Sequence, residues 1–317
     1  MITYRKATPE DVRPALDLAL RVFMEYDAPD YGPEHADRMR LAIDDRITNP
    51  DIYLSGKRLM FVALDDKKVI GIIETYGNNR IALLFVDGNY QRQGIATELM
   101  SRIICELKMN GFDKIVLNSS PHGLPFYKHF GFIPIETEKN INTPWKTPME
   151  YIPNEIWDVV DEHGNKTGRY AERGRKMAIG DFHLVVRAWV INNKGEILIT
   201  RRAMTKEDAP GLWEVPGGSA ISGESSIEAV IREVNEECGF SLNIDKAELF
   251  GTRRGDEDFI DHWLFYQDYD VNSITLKETE TTEARAATVQ MIKGFIKNND
   301  FNCIKGFKIL QEWEAAK

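Results

Sequence analysis

The sequence is poor in cysteine: 317 residues contain three, Cys105, Cys238 and Cys303. Three thiols cannot all pair, and their spacing matches no metal-ligand pattern, so a reducing, cytoplasmic setting is expected. Long apolar runs are also missing. None approaches the ~18–20 residues of a membrane span. The opening residues Met1-Ile2-Thr3-Tyr4-Arg5-Lys6 lack the basic-then-apolar plan of a signal peptide. Positive charge is in deficit, with 40 Lys plus Arg against 50 Asp plus Glu and a net charge of −10. So acidic a chain is a poor binder of nucleic-acid backbones, and neither a nucleic acid nor a membrane is expected as partner. Repeats and low-complexity tracts are absent. What remains is 43% hydrophobic and 28% charged residues, a globular composition that excludes disorder, collagen and coiled coil.

At roughly 150 residues per domain, this length suits two domains. The acidity is unequal: residues 1–153 carry 19 basic and 21 acidic side chains, and 154–317 carry 21 and 29. The Pro-punctuated stretch from Thr143-Pro144-Trp145 through Pro148 to Pro153-Asn154 marks the boundary. It divides the chain into 1–153 and 154–317, with Pro148 to Ile152 readable as a closing strand.

In the first half, Val62 to Leu64, Val69 to Thr75 and Ile81 to Val86 read as strands joined by turns at Asp65-Asp66 and Gly77-Asn78-Asn79. Connections this short predict an antiparallel meander. Helical patterns cover Asp11 to Tyr26 and Glu34 to Ile47 before the strands. After them, Gln91-Arg92-Gln93-Gly94-Ile95-Ala96 directly precedes the helical spacing Leu99, Met100, Ile103, Ile104, Leu107. A glycine-bearing turn entering a helix leaves backbone N–H groups unpaired at the positive end of the helix dipole, a site suited to a diphosphate. A further strand, Ile115 to Asn118, leads to Leu124-Pro125-Phe126-Tyr127-Lys128-His129-Phe130-Gly131-Phe132, a short helix stopped by glycine.

These residues resemble the GNAT acyltransferase family. Gln91-x-x-Gly94-x-Ala96 is similar to its pyrophosphate loop, and Phe126-Tyr127-x-x-x-Gly131-Phe132 to its second signature. The resemblance spans about 1–152 and implies a mixed, mostly antiparallel sheet. It also implies acetyl-CoA as co-substrate and an amine as acceptor. The coenzyme would be held by Gln91, Arg92, Gln93, Gly94, Ile95, Ala96 and Thr97, with Phe85, Val86 and Asn118 along its arm. Tyr127 matches the tyrosine that protonates the leaving thiolate in many relatives. Glu74, near a strand end, and Asp87, beside the loop, are candidates for the general base.

In the second half, Trp213-Glu214-Val215 reads as a strand ending in a turn at Pro216-Gly217-Gly218. A helix follows, with Ser225 as N-cap, Glu228 in capping-box spacing and Gly239 as stop. At about 100° per residue, Ile227, Val230, Ile231, Val234 and Cys238 form an apolar stripe. Glu233, Glu236 and Glu237 fall on the neighbouring arc. Three carboxylates within one turn repel unless a cation sits among them, and hard oxygen donors suit Mg²⁺ or Mn²⁺. Arg232 can steady one of them.

The segment is similar, at every defined position, to the Nudix box: Gly218, Glu224, Arg232, Glu233, Val234, Glu236, Glu237, Gly239 and Phe240. The resemblance covers about 155–300 and implies an α/β/α sandwich that hydrolyses a diphosphate linked to another moiety. The Gly218 carbonyl, Glu233, Glu236 and Glu237 would hold metal, and Glu233 or Glu236 would activate water. Trp157 to Gly164 and His183 to Val190 also resemble isopentenyl-diphosphate isomerase-like Nudix proteins. The isomerase depends on a cysteine on the strand before the box. Trp213-Glu214-Val215 has none, which favours hydrolysis. Arg201 and Arg202 are candidate phosphate contacts, and Asp256-Glu257-Asp258, Glu280 and Glu283 candidate supplementary ligands. Trp213, His183 and His262 read as packing residues. The expectation is an α/β protein joining an acetyl-CoA-dependent N-acyltransferase to a metal-dependent diphosphohydrolase. The alternative keeps only the hydrolase active, with the first half an acyl-CoA-binding or scaffold module.

Overall fold

The computed structural model describes residues 2–31, 33–49, 51–77, 79–135 and 146–316. Thr143, Pro144 and Trp145, at the start of the expected boundary, lie outside the described residues. The chain divides into two compact units, Met1–Ile156 and Trp157–Lys317.

The strands of the first unit are β1 (Ile2–Lys6), β2 (Met60–Asp65), β3 (Lys68–Tyr76), β4 (Arg80–Val86), β5 (Ile115–Ser119), β6 (Ile133–Pro134) and β7 (Thr147–Tyr151). They form one sheet in the order β1-β2-β3-β4-β5-β7-β6. The expected meander is β2-β3-β4, antiparallel throughout. Its helices are α1 (Pro9–Tyr26), α2 (Ala28–Tyr31), α3 (Pro33–Thr48), α4 (Asp51–Leu54), α5 (Ile95–Met109) and α6 (Leu124–Phe130). Side chains of a strand alternate between faces, and β2 shows the result. Phe61 and Ala63 pack with Leu99, Met100 and Ile103 of α5, whereas Met60, Val62 and Leu64 pack with Val12, Leu16 and Ala19 of α1. The sheet is therefore covered on both faces.

One pairing is short. β4 and β5 run parallel and bond only at Arg80↔Val116 and Ile81↔Leu117, while β4 continues to Val86 against β3. From Ala82 onward, β4 has one edge without a strand partner among the described residues, and the sheet opens there.

The second unit holds β8 (Ile156–Val160), β9 (Lys166–Glu172), β10 (His183–Ile191), β11 (Ile197–Arg202), β12 (Trp213–Glu214), β13 (Ala247–Arg254), β14 (Asp258–Tyr266) and β15 (Thr281–Ala287). Its helices are α7 (Ser226–Cys238), α8 (Val289–Lys297) and α9 (Ile304–Ala316). β12-β11-β10-β14-β13 form a sheet that β15 joins alongside β11, and β8 pairs with β9. Along β10, Val186, Ala188 and Val190 pack on α7, whereas Trp189 and Ile191 join Phe307 and Leu310 of α9. This is the expected α/β/α sandwich. α7 starts and stops where the sequence says: Ser225 and Glu228 form the capping box, and Gly239 closes the helix at φ +68°. Among the described residues no helix is long and apolar enough to cross a membrane.

Candidate functional site

In the first unit, a cavity of about 640 Å³ occupies the place where β4 and β5 part. Phe85, Val86, Gln91, Arg92, Gly94, Ile95, Ala96, Thr97 and Asn118 all line it, as does Tyr127. Gln93 is exposed and donates instead to the Asn89 carbonyl at 3.4 Å. Gly94 is the N-cap of α5 at φ +82°, with no side-chain cap. The first intrahelical bond runs from Glu98 N–H to the Gly94 carbonyl, so the amides of Ile95, Ala96 and Thr97 are the helix's orphan donors. A Cβ on Gly94 would meet no atom within 4 Å. Glycine is required here for its left-handed backbone rather than for space. Arg92, at φ +59°, is a non-glycine residue held in the same region, a strained conformation of the kind found at functional loops.

Tyr127 is half-buried and packs edge-on against Phe126 and Phe132. Burial, with the charge of Asp27 added, pushes its phenol above the ordinary value, which keeps the proton in place. Neither expected base lines the cavity. Glu74 is fully buried on β3, where Arg46 (3.0 Å), Arg58 and the Tyr53 hydroxyl (2.9 Å) hold its carboxylate. Asp87, 2% exposed, accepts from Arg21 at 2.8 Å and from the Asn89 amide. Its pKa is lowered, because those partners outweigh its burial. Both carboxylates are committed to structure. Among the described residues lining the cavity, the single carboxylate is Asp27, 8% exposed. It follows α1, near the stacked pairs Phe23–Tyr31 and Tyr26–His122. The sequence offers no signal for it, since Val22, Phe23 and Tyr26 share the spacing of any core-facing helix.

In the second unit, the turn before α7 runs alongside β10. Ala188 N–H donates to the Pro216 carbonyl, Val186 N–H to that of Gly218, and Ala220 N–H to that of Leu184. So close an approach needs glycine. A Cβ on Gly217 would lie 2.1 Å from the Val186 oxygen, and one on Gly218 would lie 2.6 Å from the Glu233 carboxylate. The turn thereby covers part of α7, and the three glutamates differ. Glu233 and Glu237 are buried, at 8% and 6% exposure, while Glu236 faces outward. The expectation of three carboxylates lying away from the packed face is corrected for two of them. Ile227 and Ile231 are correspondingly only partly buried.

Charge explains the arrangement. Arg232 is gripped by Glu224 through two bonds of 2.7 and 3.0 Å. From there it reaches Glu233 at 2.9 Å, Glu236 at 3.4 Å and the Ser219 carbonyl at 3.0 Å. Glu237 receives the Gly217 N–H at 3.4 Å. Burial, reinforced by Glu214 and Glu233, raises its pKa to about 8 against the pull of Arg187. Buried carboxylates in excess of their cations fit the oxygen-rich site of Mg²⁺ or Mn²⁺. The Gly218 carbonyl keeps a second lone pair beyond its bond to Val186. Among the described residues, no three His, Cys, Asp or Glu side chains already converge on one point.

Nothing in the sequence marks Arg187 and Glu214, which support the turn. Glu214, 2% exposed, accepts from Arg202 at 2.7 Å and Asn302 at 3.0 Å, and pairs with Arg187 at 3.2 Å. Arg187 also donates to the Gly217 carbonyl at 3.4 Å, so this network holds the turn from below. Arg202 is thus committed to Glu214, and Arg201 donates to the Gly211 carbonyl at 2.9 Å. Trp213 packs at 1% exposure, and His262 is core at 2%. His183 is half-buried and stacked on Trp157 at 4.0 Å. Asp258 pairs in register with His183. Glu283 bonds Arg285, and Glu280 bonds Lys277. Asp256 and Glu257 lie just before β14, exposed.

Models of two families match the chain: an acetyltransferase (GNAT) domain over residues 27–153 and a NUDIX domain over 181–305. An uncharacterized Nudix hydrolase of Listeria monocytogenes is 33% identical over 148 residues, 46% of this chain and 88% of that protein. The chain belongs to the Nudix family and carries a GNAT acetyltransferase domain before its Nudix domain. An isopentenyl-diphosphate Delta-isomerase of Escherichia coli is 36% identical over 86 residues, 26% of this chain and 47% of that protein. A Thermoplasma acidophilum PaiA N-acetyltransferase, solved with coenzyme A, shares 22% identity over 48% of this chain and 99% of its own, at a TM-score of 0.42. As for the isomerase's thiol, the fold does bring Cys303 beside Val215 and Glu214. It is 9% exposed on the α9 face, and burial raises its pKa, the opposite of what a reactive thiolate needs.

Proposed function

We propose that the chain is bifunctional, an acetyl-CoA-dependent N-acyltransferase in residues 1–153 and a metal-dependent diphosphohydrolase in 154–317. The observation that carries the hydrolase reading is the buried pair Glu233 and Glu237 against the Gly217–Gly218 turn, with Glu237 raised to about 8. Glu233, Glu236, Glu237 and the Gly218 carbonyl would hold Mg²⁺ or Mn²⁺. When bound, the metal supplies hydroxide near neutral pH and neutralises the departing phosphate. Glu233 or Glu236 takes the proton of the attacking water. Glu224 keeps Arg232 in place, and Arg232 fixes Glu233 and Glu236 so that their oxygens stay aimed. The substrate is a small diphosphate linked to another moiety. A cytoplasmic setting agrees with three buried cysteines, none of them in a disulfide.

For the transferase, the amides of Ile95 to Thr97 would receive the coenzyme's pyrophosphate, and the open edge of β4 its arm. Tyr127, kept protonated by burial, would donate to the thiolate as it leaves the acyl group. Tyr127→Phe preserves the ring contacts and removes that proton. With acetyl-CoA and an amine panel, kcat is expected to fall about 10- to 100-fold, with KM for acetyl-CoA nearly unchanged. An unaltered kcat would remove Tyr127 from the reaction.

Sites in separate compact domains act independently. A fragment of 154–317 is therefore expected to keep the full chain's Mg²⁺-dependent diphosphatase rate, measured as phosphate released from the best of a diphosphate panel. A folded but inactive fragment would mean that the hydrolase site borrows residues from the first half.

A further inference from the structure

The loop before β15 returns to the C-terminal end of α7. Thr275 N–H donates to the Cys238 carbonyl at 3.2 Å, and Thr275 packs against Gly239. Two residues later comes Lys277, whose ammonium donates to Glu280 at 2.8 Å. A second lysine, Lys206, reaches the same carboxylate at 3.3 Å from the β11–β12 loop. That loop is tied down by the bond from Ala203 N–H to the Glu280 carbonyl, 2.8 Å. Two cations from two backbone-pinned loops thus share one carboxylate, which leaves the trio with a net positive charge.

Surface ion pairs of this kind contribute little to stability, and a lysine near a helix C-terminus has a small favourable dipole term. Neither requires two lysines. Their placement has a different consequence. Glu236 and Glu233 lie close enough to Lys277 to add to its raised pKa, after the hydrogen bond to Glu280. Arg232, the cation already on the glutamate face of α7, is fully engaged with Glu224 and its neighbours, whereas Lys277 comes to that end of the helix on the loop pinned at Cys238. Each ammonium has three donors and gives one to Glu280. Lys277 is 48% exposed and Lys206 21%, so both retain donors toward solvent.

We infer that Lys277 and Lys206, spaced by Glu280, form the subsite for the phosphate oxygens that metal on the glutamates does not reach. This rests on the hydrolase reading and extends it. Lys277 contacts the diphosphate directly, and Glu280 is a positioning residue. The subsite favours a diphosphate over a monophosphate, because the second phosphate brings the oxygens that the lysines bind.

The test uses the full chain and methylenediphosphonate, a diphosphate mimic that is not hydrolysed, titrated calorimetrically with Mg²⁺ present. Lys277→Met is expected to weaken binding about tenfold or more, the loss of one charge-assisted contact. Lys277→Arg should restore most of it, and Lys206→Met should show a smaller loss. Affinity for inorganic phosphate should change less than about twofold, since a lone phosphate is held at the glutamates. In turnover, Lys277→Met should raise KM for the best diphosphate. Unchanged methylenediphosphonate affinity in folded Lys277→Met, or equal losses for the monophosphate, overturns the inference. The hydrolase reading fails separately, through unaltered turnover in Glu236→Gln.

Discussion

Glu236→Gln and Glu237→Gln are each expected to lower Mg²⁺-dependent diphosphate hydrolysis by about a thousandfold or more, while the protein stays folded. Both substitutions keep side-chain length and helix propensity. What they remove is charge at the site that metal occupies, and with it water activation and neutralisation of the leaving group. The two should differ in stability. Glu236 is outward-facing, so its replacement should leave the metal-free melting temperature nearly unchanged. Glu237 is buried, and folding raises its pKa from the ordinary 4.5 to about 8. Between those values the folded protein holds a proton that the unfolded chain has released, so metal-free stability falls as pH rises from about 5 toward 8. Glu237→Gln escapes that loss and should melt higher than wild type at pH 8 in EDTA. The measurements are phosphate release and thermal melts by circular dichroism, with and without EDTA. Wild-type turnover in both variants, or wild-type activity in excess EDTA, would leave Glu236 and Glu237 without a part in hydrolysis and overturn the hydrolase reading.

How far the sequence reaches is clear from α7 itself. Its caps, its length and its three glutamates are legible because local chemistry determines them: Ser225 and Glu228 bond each other, and Gly239 takes a left-handed backbone. The burial of Glu233 and Glu237 was not legible, because it depends on where the Gly217–Gly218 turn lies, set by hydrogen bonds to β10 about thirty residues earlier in the chain. Arg187 and Glu214 stayed hidden for the same reason. Each sits in an otherwise ordinary strand, and only pairing across the sheet brings them to the turn. Strand β14 starts at Asp258, four residues before His262. Its polar start, Asp258 and Asp261, breaks the apolar signal on which strand reading depends.

The first half divides in the same way. The meander and the glycine turn are local, and both are found. The strand-end carboxylates that are candidates for the general base are occupied: Glu74 by two arginines and a tyrosine, Asp87 by Arg21. A buried carboxylate that several donors hold is costly to disturb, which suits it to scaffolding. The aromatic and acidic wall around Asp27 comes from residues whose spacing is that of any amphipathic helix.

Gly94→Glu is expected to weaken acetyl-CoA binding by about a hundredfold or more, the largest effect foreseen in the first domain. Three terms act together. A carboxylate placed at the start of α5 competes for the amides of Ile95 to Thr97 and repels a pyrophosphate. Its side chain occupies the open space beside Gly94, where a Cβ meets nothing within 4 Å and a ligand is free to approach. The φ of +82° adds backbone strain of about 1 kcal/mol for a residue with a Cβ. Because that space is open, the substitution makes no clash, and the domain should fold. Gly94→Asn separates the terms, since asparagine tolerates the left-handed region and brings no charge. It should retain most of the affinity, and Gly94→Ala should fall between. Calorimetric titration of acetyl-CoA into the three folded variants gives the order. If Gly94→Glu binds as tightly as wild type, the amides of α5 do not receive the pyrophosphate, and the cavity between β4 and β5 serves another ligand.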